Sequence, residues 1–304
     1  MGRGMIAWLG TDFWLGPDAE LPMDALGSVP ANVTLVDSLC PEVQFAAPGY
    51  GAVDGFADVP ALEVVQVRSA GVEWIAPYLP DGVKLCSARG VQDQPVAEWV
   101  LWAILADRRQ ALAVAAAQAT GHWDRSVRQR DVAGCRVVIL GLGSIGREVA
   151  RLLNVFGAEV TGVARRPRED ARGLDALPTL LPQTDVLVNL LPLTTETAGL
   201  VNESVLAMLP DGALVVNAGR GGTQDTDALL AELRSGRLRA TLDVADPEPL
   251  PEGHPLWTAP GLTFSPHQAG DTPGSERGAW MLLGDQLRRW AAGDPLQNIV
   301  SAGY

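Results

Sequence analysis

The segment GLGSIGREVARLLNVFGAEVTGVARRP, residues Gly141–Pro167, carries the strongest indication of fold in this chain. Its first residues follow the pattern G-x-G-x-x-G, and the apolar run Arg136–Leu140 before them is typical of a buried strand. The amphipathic stretch that follows predicts a helix, and Glu159–Val163 predicts a second strand. In that context the glycines allow a tight turn and close approach of the backbone to a pyrophosphate. We therefore predict a dinucleotide-binding unit, with a structural glycine turn as the alternative.

The end of the second predicted strand bears on which dinucleotide is bound. An acidic residue there commonly hydrogen-bonds to the adenosine ribose of NAD. This chain has Arg165 and Arg166 instead, and a guanidinium can pair with a 2′-phosphate through two hydrogen bonds. We therefore expect NADP as the preferred cofactor and NAD as the other candidate. The alternative interpretation is two solvated arginines on a loop.

Composition disfavours several classes of partner. The 304 residues carry a formal net charge of -13, which opposes a general attraction to nucleic acid or to anionic membranes. The sequence has no run of about eighteen apolar residues, and its start lacks the long apolar core of a signal peptide, so we expect a cytoplasmic protein. Cys40, Cys86 and Cys135 lack the paired spacing of a disulfide framework or a zinc site, so we expect no metal.

The pattern of apolar residues changes near Gln94 and near Gly270, which are the expected domain boundaries. We expect a substrate domain from residues 1–94 and 271–304, and a dinucleotide-binding domain from residues 95–270. Short strands are predicted in the first part, at Met5–Leu9, Val33–Val36, Leu62–Val67 and Val83–Cys86.

From residue 95 onward the pattern predicts one long helix, Pro95–Ala119, and then an alternation of strands and helices. The predicted strands are Arg136–Leu140, Glu159–Val163, Val186–Leu190, Ala213–Asn217, Arg239–Leu242 and Leu262–Ser265. We therefore predict an α/β fold with two Rossmann-like domains. A doubly wound parallel-sheet domain that binds the nucleotide is inserted in a smaller, flavodoxin-like substrate domain.

Three chemically active side chains follow predicted strands at the edge where open α/β sheets bind ligands. Arg220, Glu248 and His267 each come a few residues after a strand end. Beside a nicotinamide they suffice for reduction of a 2-oxo acid: Arg220 binds the carboxylate and polarises the carbonyl, His267 donates a proton, and Glu248 orients the imidazole. The alternative is structural: Arg220 pairs with Asp225 or Asp227, Glu248 lies on a solvated loop, and His267 caps the turn that Pro266 begins.

The chain resembles the D-isomer-specific 2-hydroxyacid dehydrogenase family, in particular its glyoxylate/hydroxypyruvate reductase-like branch. The glycine turn belongs to the match. The other matching segments are VAEWVLWAILADRR from Val96, NLLPLTTETAGLV from Asn189, the segment around Arg220, LDVADPEPLP from Leu242, HPLW from His254 and SPHQAG from Ser265.

The resemblance implies a homodimer joined through the nucleotide-binding domains, with Arg220, Glu248 and His267 as its catalytic residues. The implied substrate-binding residues are Ser69, Ala70, Gly71, Val72, Arg220 and His267, the first four through backbone amides. The implied cofactor-binding residues are Gly141, Gly143, Ser144, Ile145, Gly146, Arg165, Arg166, Leu191, Pro192, Thr197, Ala218, Asp243 and Gly270.

The family fold also hosts other functions, which give two alternatives. Dehydrogenases of formate or phosphite use the same fold, but Glu248 matches the hydroxyacid enzymes, whereas the formate enzymes carry Gln at that position. Nucleotide-sensing co-repressors share the fold as well, and an interaction protein of that kind is the second alternative. The resemblance is weaker in Gln44–Val59, which looks short for the strands and helices expected there.

Overall fold

The computed structural model describes residues 4–10 and 22–300. The chain forms two compact units, one from Met1–Gln92 with Thr272–Tyr304 and the other from Asp93–Asp271. Each unit contains one parallel sheet flanked by helices, which confirms the predicted fold class. No helix among the described residues has the length and apolar character needed to cross a bilayer.

The first unit contains a five-stranded parallel sheet. Its strands are β1 (Met5–Leu9), β2 (Val33–Val36), β3 (Phe45–Ala47), β4 (Val64–Gln66) and β5 (Lys84–Cys86). Their spatial order is β2-β1-β3-β4-β5, and every adjacent pair is parallel. This order is that of the flavodoxin-like fold, as predicted. The sequence did not reveal β3, because three apolar residues within a Gly- and Pro-rich stretch are too few to show a period.

The described residues of this unit form two α-helices, the short α1 (Met23–Leu26) and the long α8 (Pro273–Ala292). The start of α8 is fixed by a capping box, in which Thr272 and Ser275 each accept a hydrogen bond from the other's backbone N–H at 3.2 Å. Apolar side chains of α8 pack against the sheet, and Trp280 is only 1% exposed. The sequence after residue 272 therefore completes the core of the first unit.

The second unit contains a six-stranded parallel sheet. Its strands are β6 (Arg136–Leu140), β7 (Glu159–Val163), β8 (Val186–Asn189), β9 (Leu214–Asn217), β10 (Arg239–Leu242) and β11 (Leu262–Phe264). The helices are α2 (Asp93–Arg108), α3 (Ala111–Ala119), α4 (Ser144–Val155), α5 (Leu177–Leu180), α6 (Glu203–Ala207) and α7 (Thr226–Arg234). The strand order is β11-β10-β9-β8-β6-β7. The order reverses between β6 and β8, which is where a doubly wound sheet binds its ligand.

Residues of β6 show why its sequence is apolar throughout. Val138 and Leu140 pack into one core cluster, whereas Val137 and Ile139 pack into the cluster on the opposite face. Because successive side chains of a strand point to opposite faces, a sheet covered on both sides needs apolar residues at every position. The strand is therefore held rigidly directly before the glycine turn.

The prediction of one helix over Pro95–Ala119 was wrong. The structure has two helices, α2 and α3, separated at Gln110, whose φ of 52° is left-handed. The carbonyl of Arg108 accepts a hydrogen bond from Arg130 N at 2.8 Å, and the side chain of Gln110 donates to Asp107 O. Helix propensity favours continuation through this Ala-rich sequence, but these contacts divert the backbone.

Candidate active site

His267 and Glu248 meet in the second unit. His267 lies in the loop after β11, Glu248 lies in the loop after β10, and His267 Nδ1 is 2.7 Å from Glu248 Oε1. Their side chains are 42% and 39% exposed, so the pair lies at the surface of the unit rather than in its core. Because Nδ1 faces the carboxylate, Nε2 is the ring nitrogen that can face a substrate.

The backbone around His267 is fixed by Asp243, which directly follows β10 and is only 2% exposed. Its Oδ1 accepts hydrogen bonds from Ser265 Oγ at 2.6 Å and from Gln268 N at 2.8 Å, and its Oδ2 accepts from Ala269 N at 2.9 Å. The backbone N–H of His267 donates to Asp243 O at 2.7 Å. These bonds hold His267 at a left-handed φ of 54°, which is uncommon for a residue with a side chain.

Arg220 lies three residues after β9, on a loop held by buried polar groups. Its carbonyl accepts a hydrogen bond from Thr223 Oγ1 at 2.6 Å, and Asn189 Nδ2 donates to the same hydroxyl at 2.8 Å. Asn217 at the end of β9 accepts from Gly219 N at 3.0 Å. The Arg220 side chain is half-buried and donates through Nη1 to Gly219 O at 2.8 Å. The loop conformation is therefore fixed from two adjacent strands, β8 and β9.

Gly221 brings the Arg220 loop against the loop that carries Glu248. A Cβ at residue 221 would lie 1.8 Å from Ala245 O, a separation that atoms cannot adopt. The two backbones therefore approach as closely as they do only because residue 221 is glycine. The structure thus places Arg220 on the loop next to the paired His267 and Glu248.

The glycine turn after β6 has the geometry that a phosphate-binding turn needs. Gly141 has a φ of 95°, and a Cβ at Gly146 would lie 2.4 Å from Gly141 O. Helix α4 begins at Ser144 directly after Gly143, so the first N–H groups of the helix, including that of Ile145, have no acceptor within the helix. The helix N-terminus can therefore donate hydrogen bonds to an anion.

Five of the residues predicted to bind the cofactor, among them Arg165 and Arg166, lie in the loops after β7 and β8. Arg165 and Arg166 are exposed, and Arg165 Nη1 is 3.2 Å from Glu196 Oε2. Leu191 is buried, and its N–H donates to Asn189 Oδ1 at 3.2 Å. The hydroxyl of Thr197 donates to the carbonyl of Pro192 at 2.5 Å.

Ala218 and Gly270, both predicted to bind the cofactor, are half-buried in the loops after β9 and β11. Ala218 N donates to Asn189 O at 3.2 Å. Asp243 is the third residue of this group, and an ionised carboxylate offers about four acceptor positions. The three hydrogen bonds already described use most of them and leave room for one more donor.

The predicted carboxylate-binding residues Ser69–Val72 lie in the first unit, after β4. Ser69 Oγ donates to Gly71 O at 2.6 Å and accepts from Trp74 Nε1 at 3.0 Å. The N–H of Ala70 donates to Gln92 Oε1 at 3.3 Å. The side chain of Ser69 and the amide of Ala70 are thus engaged in shaping the loop.

More than half of the chain, residues 101–269, matches the family model for "D-isomer specific 2-hydroxyacid dehydrogenase, NAD binding domain". The chain belongs to this family. It is 33% identical over 259 residues to glyoxylate/hydroxypyruvate reductase A of Klebsiella pneumoniae, an alignment that covers 79% of this chain and 80% of that protein. It is also 28% identical over 228 residues to D-3-phosphoglycerate dehydrogenase of Methanocaldococcus jannaschii, with 72% of this chain but only 43% of that longer protein covered.

Among solved structures, this dehydrogenase resembles the NADPH-dependent glyoxylate/hydroxypyruvate reductase of Sinorhizobium meliloti in complex with NADP and sulfate. The TM-score is 0.85, the sequences are 30% identical, and the match covers 99% of this chain and 100% of the other. Both the family membership and the family-wide fold predicted from the sequence are therefore confirmed.

Sequence reasoning missed the buried polar residues that support this dehydrogenase's site. Asn189, Asn217 and Thr223 are at most 1% exposed and fix the Arg220 loop, and Ser265 helps Asp243 to fix the His267 loop. A signal was present, because β8 and β9 are otherwise apolar and both end in Asn. A buried polar side chain must be hydrogen-bonded, so an Asn at a strand end indicates a loop that it supports.

Proposed function

We propose that the protein reduces a small 2-oxo acid to the D-2-hydroxy acid, with NADPH as the preferred hydride donor. Its family makes it an NAD(P)-dependent oxidoreductase. The observation that carries the proposal is the 2.7 Å contact between His267 Nδ1 and Glu248 Oε1, on loops that pack beside Arg220. A proton donor, a carboxylate that orients it and a guanidinium are the groups that carbonyl reduction requires.

Each of the three side chains has a separate task. A bound nicotinamide supplies the hydride that reaches the carbonyl carbon. His267 in its charged form donates the Nε2 proton to the carbonyl oxygen, which becomes the hydroxyl of the product. Glu248 holds the ring through Nδ1 and stabilises its positive charge before the transfer. Arg220 binds the substrate carboxylate and polarises the carbonyl.

The described residues fit a dinucleotide. The turn around Gly141, Gly143 and Gly146 fits the pyrophosphate, because the space beside Gly143 is open and the N-terminus of α4 supplies donors at Ser144 and Ile145. Arg165 and Arg166 would take the 2′-phosphate of NADP. We assign Leu191 and Pro192 to the adenosine, with Thr197 close by, and Ala218 and Asp243 to the nicotinamide carboxamide. Gly270 is assigned to the cofactor as well. The Sinorhizobium relative, solved with NADP, supports this choice of cofactor.

We assign the substrate carboxylate to Arg220, His267 and the backbone of Ser69–Val72. Among the described residues, nothing accepts a hydrogen bond from the N–H of Gly71 or of Val72, so these two amides suit an anion. We further propose that residues 1–94 with 271–304 act as the substrate domain and residues 95–270 as the dinucleotide-binding domain.

We propose a homodimer joined through the nucleotide-binding domain. Helix α3 buries none of its residues, Leu112 is 62% exposed, and Trp123 beyond the helix is 88% exposed. Exposed apolar side chains grouped in this way mark protein interfaces, and the family resemblance makes a second copy the occupant. Light scattering on the purified protein distinguishes a dimer from a monomer. We also propose a cytoplasmic location, since Cys40, Cys86 and Cys135 are free thiols.

The test of the proposed function is oxidation of NADPH, and then of NADH, measured by absorbance at about 340 nm. The substrates are glyoxylate, hydroxypyruvate, pyruvate, phenylpyruvate and 2-oxoisocaproate. We expect turnover with small 2-oxo acids and a lower KM for NADPH than for NADH. Binding of a dinucleotide without turnover of any of these acids would contradict the proposal and favour the co-repressor-like alternative. Oxidation of formate or phosphite would instead favour the formate- or phosphite-dehydrogenase alternative.

A further inference from the structure

Glu196 places a carboxylate beside Arg165, in the region proposed to bind the adenosine end of the cofactor. Its Oε2 lies 3.2 Å from Nη1 of Arg165. Glu196 comes from the loop after β8, whereas Arg165 comes from the loop after β7, and β6 lies between these strands in the sheet. The ion pair therefore links the loops on either side of the strand that leads into the glycine turn.

The position of Glu196 is fixed by a hydrogen-bonded turn. Thr194 N donates to Thr197 Oγ1 at 2.8 Å, Ala198 N donates to Thr194 O at 2.9 Å, and Thr197 Oγ1 donates to Pro192 O. Glu196 lies between the two threonines, so its backbone is held although its side chain is 61% exposed. The carboxylate consequently stays within reach of Arg165.

Two other arginines near the turn have a carboxylate of their own. Arg147 donates two hydrogen bonds to Asp170, at 3.0 and 2.8 Å, and Arg168 lies 3.4 Å from the same side chain. The hydrogen bond from Arg147 keeps the pKa of Asp170 below its ordinary value, so this carboxylate is ionised at neutral pH. Arg168 also donates to Leu142 O at 2.8 Å, which ties the β7 loop to the glycine turn.

Arg166 differs from these three arginines. It is exposed, and within residues 4–10 and 22–300 its side chain has no hydrogen bond or ion pair. A 2′-phosphate in this region can bind Arg166 without displacing another carboxylate. To bind Arg165 it must compete with Glu196.

We propose that Glu196 is a specificity-determining residue that opposes the 2′-phosphate of NADP(H) and so limits the preference of the enzyme for NADPH. The carboxylate repels a phosphate that approaches Arg165, and its ion pair with Arg165 must be exchanged for a phosphate pair. NADH carries a neutral 2′-hydroxyl and meets no such opposition. This inference rests on the proposed binding of the adenosine end beside residues 165 and 196.

The test compares Glu196→Gln with a matched control, Glu169→Gln. Glu169 is exposed in the same loop as Arg165, its replacement removes the same charge, and it has no side-chain partner among the residues that the structure describes. Dissociation constants of NADPH and NADH are measured by fluorescence titration without substrate, and those of adenosine 2′,5′-bisphosphate and 5′-AMP by calorimetry.

We expect E196Q to bind NADPH and adenosine 2′,5′-bisphosphate about 3- to 10-fold more tightly than the wild type, because the repulsive carboxylate is gone. The gain is no larger because the charges are exposed to water. Binding of NADH and 5′-AMP should change less than about 2-fold. E169Q should also change the NADPH constant less than about 2-fold, because Arg165 pairs with Glu196 and not with Glu169, and exposed charges that form no pair are screened by salt. An equal gain in both variants, or an equal change for NADPH and NADH, would overturn the inference while leaving the proposed function intact. Absence of dinucleotide binding by the wild type would overturn both.

Discussion

The catalytic loops and the adenosine-end loops of the second unit hold their charged groups in opposite ways. Around His267, the carboxylate of Asp243 is 2% exposed and accepts three hydrogen bonds from one loop. At the other end, Arg165 and Glu196 form a single contact between side chains that are 56% and 61% exposed. Both arrangements use a carboxylate to position a partner, but only the first excludes water from it.

This difference in burial determines which hydrogen bonds and ion pairs are permanent and which can exchange partners. A buried carboxylate cannot lose its partners without a large cost, because water does not replace them. An exposed ion pair contributes about 0 to 1 kcal/mol and exchanges partners readily. The conformation of the His267 loop is therefore determined by the fold. On the proposed assignments, the choice of cofactor depends instead on a few exposed side chains that can change without disturbing the core.

The largest expected effect lies at the catalytic loops. Replacing His267 or Arg220 by Ala should lower turnover by about 10²- to 10⁴-fold, since proton transfer or carbonyl polarisation is lost. Dissociation constants of NADPH should change little, because both residues are assigned to the substrate. Steady-state kinetics and fluorescence titration give the two quantities.

Two replacements of the same residue types serve as controls. Arg234 is exposed at the end of α7, and His254 caps a short turn by accepting from Leu256 N at 3.2 Å, a role that Asn can also fill. R234A and H254N should retain turnover. Turnover close to that of the wild type in H267A or R220A would refute the assigned roles and remove one side of the comparison.

Asp243→Asn should have the next largest effect. An amide has the size of the carboxylate, but its NH₂ group cannot accept from Ala269 N or Gln268 N, so a buried donor loses its partner. We expect the free energy of unfolding to fall by about 1 to 3 kcal/mol, with lower turnover because the His267 loop is released. Thermal unfolding and kcat are measured together with D271N as the exposed control. Unchanged stability and kcat in D243N would show that the catalytic loop does not depend on this carboxylate.

The sequence predicted the elements whose signal is local. Arg136–Leu140 and Glu159–Val163 match β6 and β7 because short apolar or β-branched runs flank the glycine turn. The order Arg220, Glu248 and His267 after successive strands placed them on one edge of a parallel sheet, and the structure brings His267 and Glu248 into contact.

What the sequence did not predict depends on contacts between distant residues. The break at Gln110 involves Arg130, twenty residues further on, within a segment whose composition favours helix. The pairing of Arg165 with Glu196 joins two loops whose proximity follows from the strand order alone. Local patterns do not encode such pairs, so the support of the site emerged only from the structure.

The double replacement Arg165→Gln with Arg166→Gln is the third test and acts at the adenosine end. Charge-assisted hydrogen bonds to a phosphate contribute about 1 to 3 kcal/mol, so NADPH should bind about 5- to 150-fold more weakly. NADH should be almost unaffected, and kcat at saturating NADPH should stay near that of the wild type, because the His267 loop is separate. Equal weakening of both dinucleotides would show that these arginines do not read the 2′-phosphate.

The smallest expected effect is that of salt, and it separates the two regions without any mutation. Raising ionic strength from about 0.1 M to about 1 M shortens the screening length from about 10 Å to about 3 Å. The dissociation constant of NADPH should then rise about 3- to 10-fold, and that of NADH about 2-fold or less, because only the 2′-phosphate is read by exposed charges. The midpoint of thermal unfolding should not fall in parallel, since Asp243 and its hydrogen bonds are shielded from ions.

In the R165Q/R166Q variant the salt dependence of NADPH binding should approach that of NADH. If NADPH binding by this variant keeps its full salt dependence, basic side chains other than Arg165 and Arg166 bind the 2′-phosphate. The exposed residues that select the cofactor would then lie elsewhere.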